Sequence, residues 1–362
     1  MTYPSGPYGH GYGYGYGYAP PPPKPGVIPL APLGLGDVLT GVFSTYGRYW
    51  KQLVGMTLIA YTGAAVVMAG AFTAAFLAVG DDVDRLAGMP SGQSPEFADV
   101  QPLIVAFGLA WLASVAGWVV FNGLAAASVP VVLQEAVLGR RIGFGALWRR
   151  AWSRVGSVIG SVVLSTLAMI LPMVLVFVGA AFLFVALITD LADAASGSDH
   201  DSAGLAVTGL LFFLLTFATL PLSVWLWVKF SLATTAAVIE RQGPVGSLRR
   251  SSALVRGSWW RIFGITLLIG LMVGVVSVVI QQIISFVGMV PVSAYSPGDN
   301  PTPSDVLGVF GGVVVLVTVA QLITQAVFAP FLPLVSGLLY IDQRIRRENL
   351  GQSLAQTAAA PH

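Results

Sequence analysis

The chain has 362 residues, 56% of them hydrophobic and only 9% charged, with a formal net charge of +2. A soluble domain is about 45–50% apolar and about 25% charged, so a fold solvated by water alone could not cover this much apolar surface. Cysteine is absent, which excludes disulfides, thiolate metal sites and cysteine nucleophiles.

In chain order, residues 1–32 come first as a Tyr/Gly/Pro-rich tail. Six tyrosines lie between Tyr3 and Tyr18, and residues 20–23 are four prolines. Such low-complexity sequence builds no core, so a disordered cytoplasmic tail is expected. Its plain reading is a solvated segment, and its sharper one is a docking segment for a cytoplasmic protein partner. Lys24 is the one basic residue before Gly36, and no apolar run precedes Val27. A secretory signal is therefore not expected here, and the first span should direct insertion.

A bilayer core about 30 Å thick needs roughly 20 apolar helical residues. Six stretches qualify, at residues 53–79, 102–133, 155–188, 204–238, 262–290 and 306–339. The expected fold is therefore all-α, a polytopic transmembrane bundle. Pro130, Pro172, Pro221, Pro330 and Pro333 are its expected kink sites, since proline removes a backbone donor and crowds the preceding turn.

Orientation follows from the basic residues. In this topology 17 of the 18 lie on one side and only Arg85 on the other, whereas eleven of the sixteen acids face Arg85. The expectation is a bacterial plasma-membrane protein with both termini in the cytoplasm, its basic face drawn to anionic headgroups. No nucleic-acid fold is present, so nucleic acid is not an expected partner.

The sequence also resembles itself. Gly36-Asp-Val-Leu with Gly47-Arg-Tyr-Trp-Lys51 precedes span one, and Gly246-Ser-Leu-Arg with Gly257-Ser-Trp-Trp-Arg261 precedes span five; Gly145-Ala-Leu-Trp-Arg-Arg150 is a looser copy before span three. Spans two, four and six run out through Glu135, Glu240 and Asp342, each followed by arginine. The reading is a membrane domain over 33–346 in three units, 33–141, 142–243 and 244–346, with a short tail at 347–362. Each unit is an interfacial helix, a span out and a span back. The interfacial helices read as amphipathic, with Val38, Leu39, Val42, Phe43, Tyr46 and Trp50 on one stripe of the first. The connections at 80–101, 189–203 and 291–305 read as solvated loops.

Little in this pattern points to chemistry. His10, His200 and His362 have no ligand-like spacing, and no phosphate-binding glycine loop occurs. No metal, cofactor or catalytic residue is expected, and the chain reads as non-enzymatic. The spans carry amides, namely Asn122, Gln281, Gln282, Gln321 and Gln325, which read as interhelical hydrogen-bonding groups or as the lining of a polar path. Glycine pairs such as Gly156/Gly160 and Gly270/Gly274 read as close helix packing. The candidate charge sites are Glu135, Glu240 and Asp342 with Arg249, Arg250, Arg256 and Arg261. Each carboxylate is expected either to pair with arginines of a neighbouring interfacial helix, fixing a corner of the bundle, or to form part of a headgroup or ion site.

At Trp227-Val-Lys-Phe-Ser-Leu-Ala233, Val238-Ile-Glu-Arg-Gln-Gly-Pro-Val-Gly-Ser-Leu-Arg-Arg-Ser251 and Leu254-Val-Arg-Gly-Ser-Trp-Trp-Arg-Ile-Phe-Gly264, the chain resembles the membrane domain of some glycerophosphoryl diester phosphodiesterases. It is most similar to stand-alone actinobacterial versions, over about residues 32–350. The resemblance implies a membrane bundle without the hydrolytic activity, because that chemistry belongs to a separate soluble barrel, and no catalytic residue carries over. The expected role is a scaffold or accessory factor organising lipid or protein partners at the inner leaflet; the alternative is a secondary transporter or lipid-handling permease.

Overall fold

The structure, a computed structural model, describes residues 26–89, 95–196, 203–294 and 303–348. The tail at 1–25, parts of the connections at 80–101, 189–203 and 291–305, the C-terminal residues from 349 and all three histidines lie outside the described residues, so the expectations placed on them are not addressed. Among the described residues there are helices and no strands.

The first hairpin is α1 (Leu35–Ala78) and α3 (Phe97–Val137), joined through the short α2 (Gly80–Ala87). The second begins with α4 (Phe144–Trp152) and continues into α5 (Val155–Ser196), α6 (Ala203–Phe230) and α7 (Ala233–Ile239). The third begins with α8 (Pro244–Val255) and continues into α9 (Trp259–Ala294), α10 (Pro303–Phe328) and α11 (Phe331–Glu348). Five of the described helices are long and apolar enough to cross a bilayer, or six if α4 and α5, bent by 56°, are taken as one broken span. The chain is thus a multi-pass helical membrane protein.

The core does not run the length of the bundle. Fully buried side chains gather at the basic end: Tyr49, Leu53 and Met56 of α1, Leu124 and Leu133 of α3, Leu232 before α7, and Leu334, Val335, Leu338, Leu339 and Tyr340 of α11. Toward the other end, residues such as Leu109 and Trp111 of α3, Leu211 of α6, and Val275 and Phe286 of α9 are exposed, an apolar surface suited to lipid. Three hairpins therefore rise from one packed base, with α11 at its centre. The amphipathic helices serve that base. Val38 and Val42 of α1 and Leu147 and Ala151 of α4 are buried in it, while Phe43, Trp50 and Trp152 point outward as half-exposed aromatic surface.

Chain geometry at the helix breaks follows from backbone hydrogen bonding. Pro330 has no N–H to give the carbonyl of Ala326, and Thr57 of α1 donates its hydroxyl to that oxygen instead, at 2.7 Å. The neighbouring Val327 carbonyl accepts from the Tyr46 hydroxyl at 2.9 Å, and the Tyr46 ring stacks on Phe331 at 4.5 Å. The break between α6 and α7 contains no proline. There Ser251 of α8, fully buried, donates to the Lys229 carbonyl at 2.8 Å and accepts from the Leu232 N–H at 3.2 Å. In α1 the kink falls at Tyr49, whose φ and ψ are −119° and 21°. Its hydroxyl bonds the Arg140 carbonyl, while Gln52 reaches the Ile142 carbonyl at 3.1 Å.

Three expectations need correction. Pro130 and Pro221 lie inside α3 and α6 without breaking them, and the fourth span breaks instead where Ser251 intrudes. The connection at 80–101 is not all loop. Asp81 and Asp82 in the first turn of α2 and Arg85 in its last turn complement the helix dipole, and Arg85 pairs with Asp82 at 3.3 Å. Of the pairs Gly156/Gly160 and Gly270/Gly274, only Gly160 packs closely. A Cβ on Gly160 would sit 2.4 Å from the rigid ring of Pro244, which starts α8, whereas one on Gly156 would meet nothing. Gly160→Ala is accordingly expected to cost about 1–3 kcal/mol by forcing α5 from α8. Gly156→Ala should be neutral or slightly stabilising, as alanine is the better helix former; thermal unfolding of the two purified variants in detergent measures the contrast.

Candidate functional site

At the basic end the three acids that close spans two, four and six are each held by arginine, and for Glu135 and Glu240 the partner lies on the next helix of the chain. Glu135, near the end of α3, accepts from Arg150 of α4 at 2.6 Å. Glu240, at the end of α7, accepts from the Arg250 Nε of α8 at 2.8 Å, from the Gln242 amide at 2.8 Å and from the Tyr340 hydroxyl. Asp342 of α11 closes instead on Leu33 ahead of α1, on Arg261 of α9 and on Arg346 of its own helix.

That third joint is the most buried. Asp342 is 0% exposed. Its Oδ1 accepts the Leu33 N–H at 2.8 Å and the Arg346 Nε at 2.8 Å, and its Oδ2 faces the Arg261 Nη2 at 3.1 Å. Both arginines also donate to the Leu33 carbonyl, Arg346 at 2.9 Å. The peptide groups flanking Leu33 are thus satisfied on both sides. Residues 26–33 form a strap across the base, with Val27 and Ile28 buried and the Val27 N–H on the Ala136 carbonyl at 3.2 Å. The strap ends in a turn where Asp37 accepts from the Gly34 N–H at 2.8 Å, starting α1.

Arg250 stands between Glu240 and Glu348, and Arg344 closes the group, 2.8 Å from Glu348 and 3.7 Å from Glu240. Burial opposes the charge on Arg250, but its hydrogen bonds to Glu240 and Glu348 outweigh that and hold its pKa above the ordinary arginine value. Arg347 donates to the Ala253 and Arg256 carbonyls at the end of α8, where a cation also complements the helix dipole.

Of the seven candidate residues, the structure brings Glu135, Glu240, Asp342, Arg250 and Arg261 into these contacts. Arg249 and Arg256 are exposed and, among the described residues, have no carboxylate within ion-pair distance. Sequence reading missed Tyr340, Arg344, Arg346, Glu348 and the strap. The i,i+4 spacings Asp342–Arg346 and Arg344–Glu348 on one helix were a usable signal, whereas nothing local in Leu33 marks it as a partner of Asp342.

Two hollows open beside these joints. One of about 250 Å³ is lined by Glu135, Leu138, Tyr340 and Arg344 among others. The second, of about 370 Å³, lies between α3, α4 and the end of α7 and contains Arg150, Arg154 and Arg241 in its wall. The arrangement offers fixed positive charge and hydrogen-bond donors to an anion.

The joints are expected to differ in strength. Asp342→Asn strips the counter-charge from two arginines at a buried joint and should lower stability by about 3 kcal/mol. Glu135→Gln, whose partner Arg150 is 56% exposed, should cost less than about 1 kcal/mol; denaturation midpoints of the two variants in one detergent check the order. Comparison of the sequence with curated proteins, and of the fold with solved structures, finds no match. Residues 98–333, well over half of the chain, match the family described as Domain of unknown function (DUF7847), and the chain belongs to that family.

Proposed function

We propose that this is a non-enzymatic membrane scaffold whose basic end faces the cytoplasm and gathers anionic lipid or protein partners at the inner leaflet. The observation that carries the reading is the division of labour at that end. Arginines such as Arg250, Arg261, Arg344 and Arg346 are spent on holding the hairpins together. Arg249 and Arg256 stay exposed, as does the aromatic Trp260 that follows them in the chain. Exposed arginine next to interfacial tryptophan is the composition that binds negatively charged headgroups. The placement of the termini in the cytoplasm rests on the basic bias of the connections. The resemblance to the membrane domain of glycerophosphoryl diester phosphodiesterases points the same way, since that family's chemistry resides outside the membrane domain. Three similar units in the chain would give such a scaffold three comparable faces.

The competing reading, a secondary transporter or lipid-handling permease, draws on the amides of the spans. It gains less support, because Gln282 and Gln325 lie exposed on the flanks of α9 and α10, where lipid and not a path would meet them.

Two measurements test the proposal. The chain lacks cysteine, so single exposed cysteines at Arg141→Cys and Asp81→Cys can be labelled in intact cells; Asp81→Cys should react from outside and Arg141→Cys only after permeabilisation. Protein extracted in mild detergent should then carry anionic phospholipid in excess over its share of the membrane. A lipid complement that mirrors the membrane, together with an empty crosslinking profile, rejects the scaffold reading.

A further inference from the structure

The hollow between α3, α4 and α7 has features that the bundle's own stability does not account for. Its volume of about 370 Å³ falls in the range of small-molecule sites, about 300–1,000 Å³. Arg150 of α4 with Ser153 and Arg154 of the turn that follows it line one side, Gln134 of α3 and Arg241 the other, and valine and isoleucine side chains form the remaining wall. Arginine donates and never accepts, so three arginines around one space present donors with few acceptors of their own.

The charge there is not balanced from within. Arg150 has Glu135 at 2.6 Å. Among the described residues, neither Arg154 nor Arg241 has a carboxylate within ion-pair distance. Elsewhere at this end, Arg250, Arg261, Arg344 and Arg346 are all paired. Like charges gathered around a concave surface repel one another and are relieved by an anion in the space between them.

The backbone of Arg241 is an independent sign. It has φ of 55°, the only positive value among the described non-glycine residues. It is the residue just past the last helical turn of α7, a position where glycine or asparagine is the usual choice. The matching position after α3 is Gly139, with φ of 74°. An arginine is thus held in a conformation that favours glycine, and its side chain is in the wall of the hollow. Strain of this kind persists where the surrounding structure imposes it and is characteristic of ligand clamps.

We infer that the hollow lined by Arg150, Arg154 and Arg241 binds the phosphate group of a phosphate ester, the Arg154 and Arg241 guanidinium groups supplying the charge and the Gln134 amide supplying a further donor. Planar guanidinium forks match the oxygens of a phosphate group. The ester could reach the site as the headgroup of an anionic phospholipid, given that the half-exposed Trp152 lies on the same helix, or as a soluble compound; the shared chemistry is the phosphate. This deepens the inner-leaflet reading above and rests on it for the lipid source alone.

The test uses the full chain, purified in neutral detergent and stripped of lipid, with inorganic phosphate and short-chain dihexanoyl phosphatidylglycerol as probes at matched ionic strength. Thermal stabilisation and calorimetric titration are the readouts, on wild type, Arg154→Gln, Arg241→Gly and the double variant. The wild type should saturate with at least one probe, and each single variant should bind it about tenfold or more weakly. Arg241→Gly should keep or raise the unfolding temperature of the free protein, because glycine relaxes the left-handed turn, so its loss of binding cannot be assigned to misfolding. Saturation by phosphatidylglycerol alone assigns the site to a headgroup, and equal response to inorganic phosphate assigns it to a soluble ester. No saturable response from wild type, or variants that bind as wild type does, overturns the inference. Excess anionic lipid retained equally by wild type and double variant would remove the lipid source for this site while leaving the scaffold reading intact. Probe binding without any such excess would do the reverse.

Discussion

Lipid is as apolar as leucine, so one apolar helix face gains little by leaving lipid for another. The three hairpins therefore depend on polar joints at their base, and the joint around Asp342 is the one on which the others lean. A carboxylate with no exposure is stable only if its oxygens find donors and counter-charge, and Leu33, Arg261 and Arg346 provide them. Through those partners it connects the strap before α1, the start of α9 and the end of α11. Removing any one of them leaves charge buried without its counterpart, which is why this joint behaves as a unit.

The same rule governs the interruptions in the spans. A broken helix exposes carbonyl and amide groups that lipid cannot satisfy. Here each break is answered from another hairpin or from an amphipathic helix: Thr57 and Tyr46 at Pro330, Ser251 at Leu232. These contacts make the breaks into attachment points. Small hydroxyl residues scattered through α1 and α8 act as fasteners between segments that would otherwise share only lipid-like surface.

How much of this was readable in advance depends on the range of each interaction. Helical spans and their number follow from apolar runs, a local property, and the long helices match them. The amphipathic stripe of α1 was legible in part: Val38 and Val42 are buried as their 3.6-residue spacing implies, whereas Phe43 and Trp50, read on the same stripe, turn outward. The break after Phe230 was not legible, since its cause, Ser251, lies on a different helix and nothing in the span itself disfavours helix. Pro130 misled for the opposite reason: its effect on the backbone is local, but the surrounding packing tolerates it. At the base, the acids were marked by their recurrence after spans two, four and six, and their arginine neighbours by density. Leu33 could not be marked, because a backbone N–H is offered by every residue but proline, and only the tertiary arrangement selects one. The left-handed turn at Arg241 was equally hidden, the sequence having placed a residue there that does not advertise positive φ.

The strap has a bearing on how the molecule is made. Its seat is built from Asp342 and Arg346 in the last helix and Arg261 at the head of the ninth, all synthesised long after Leu33 has left the ribosome. The strap can therefore be seated only after α9 and α11 have been made. Truncated or stalled products lack that seat and leave the strap loose, so a quality-control protease that engages this stretch would discriminate finished molecules from unfinished ones without inspecting the membrane interior.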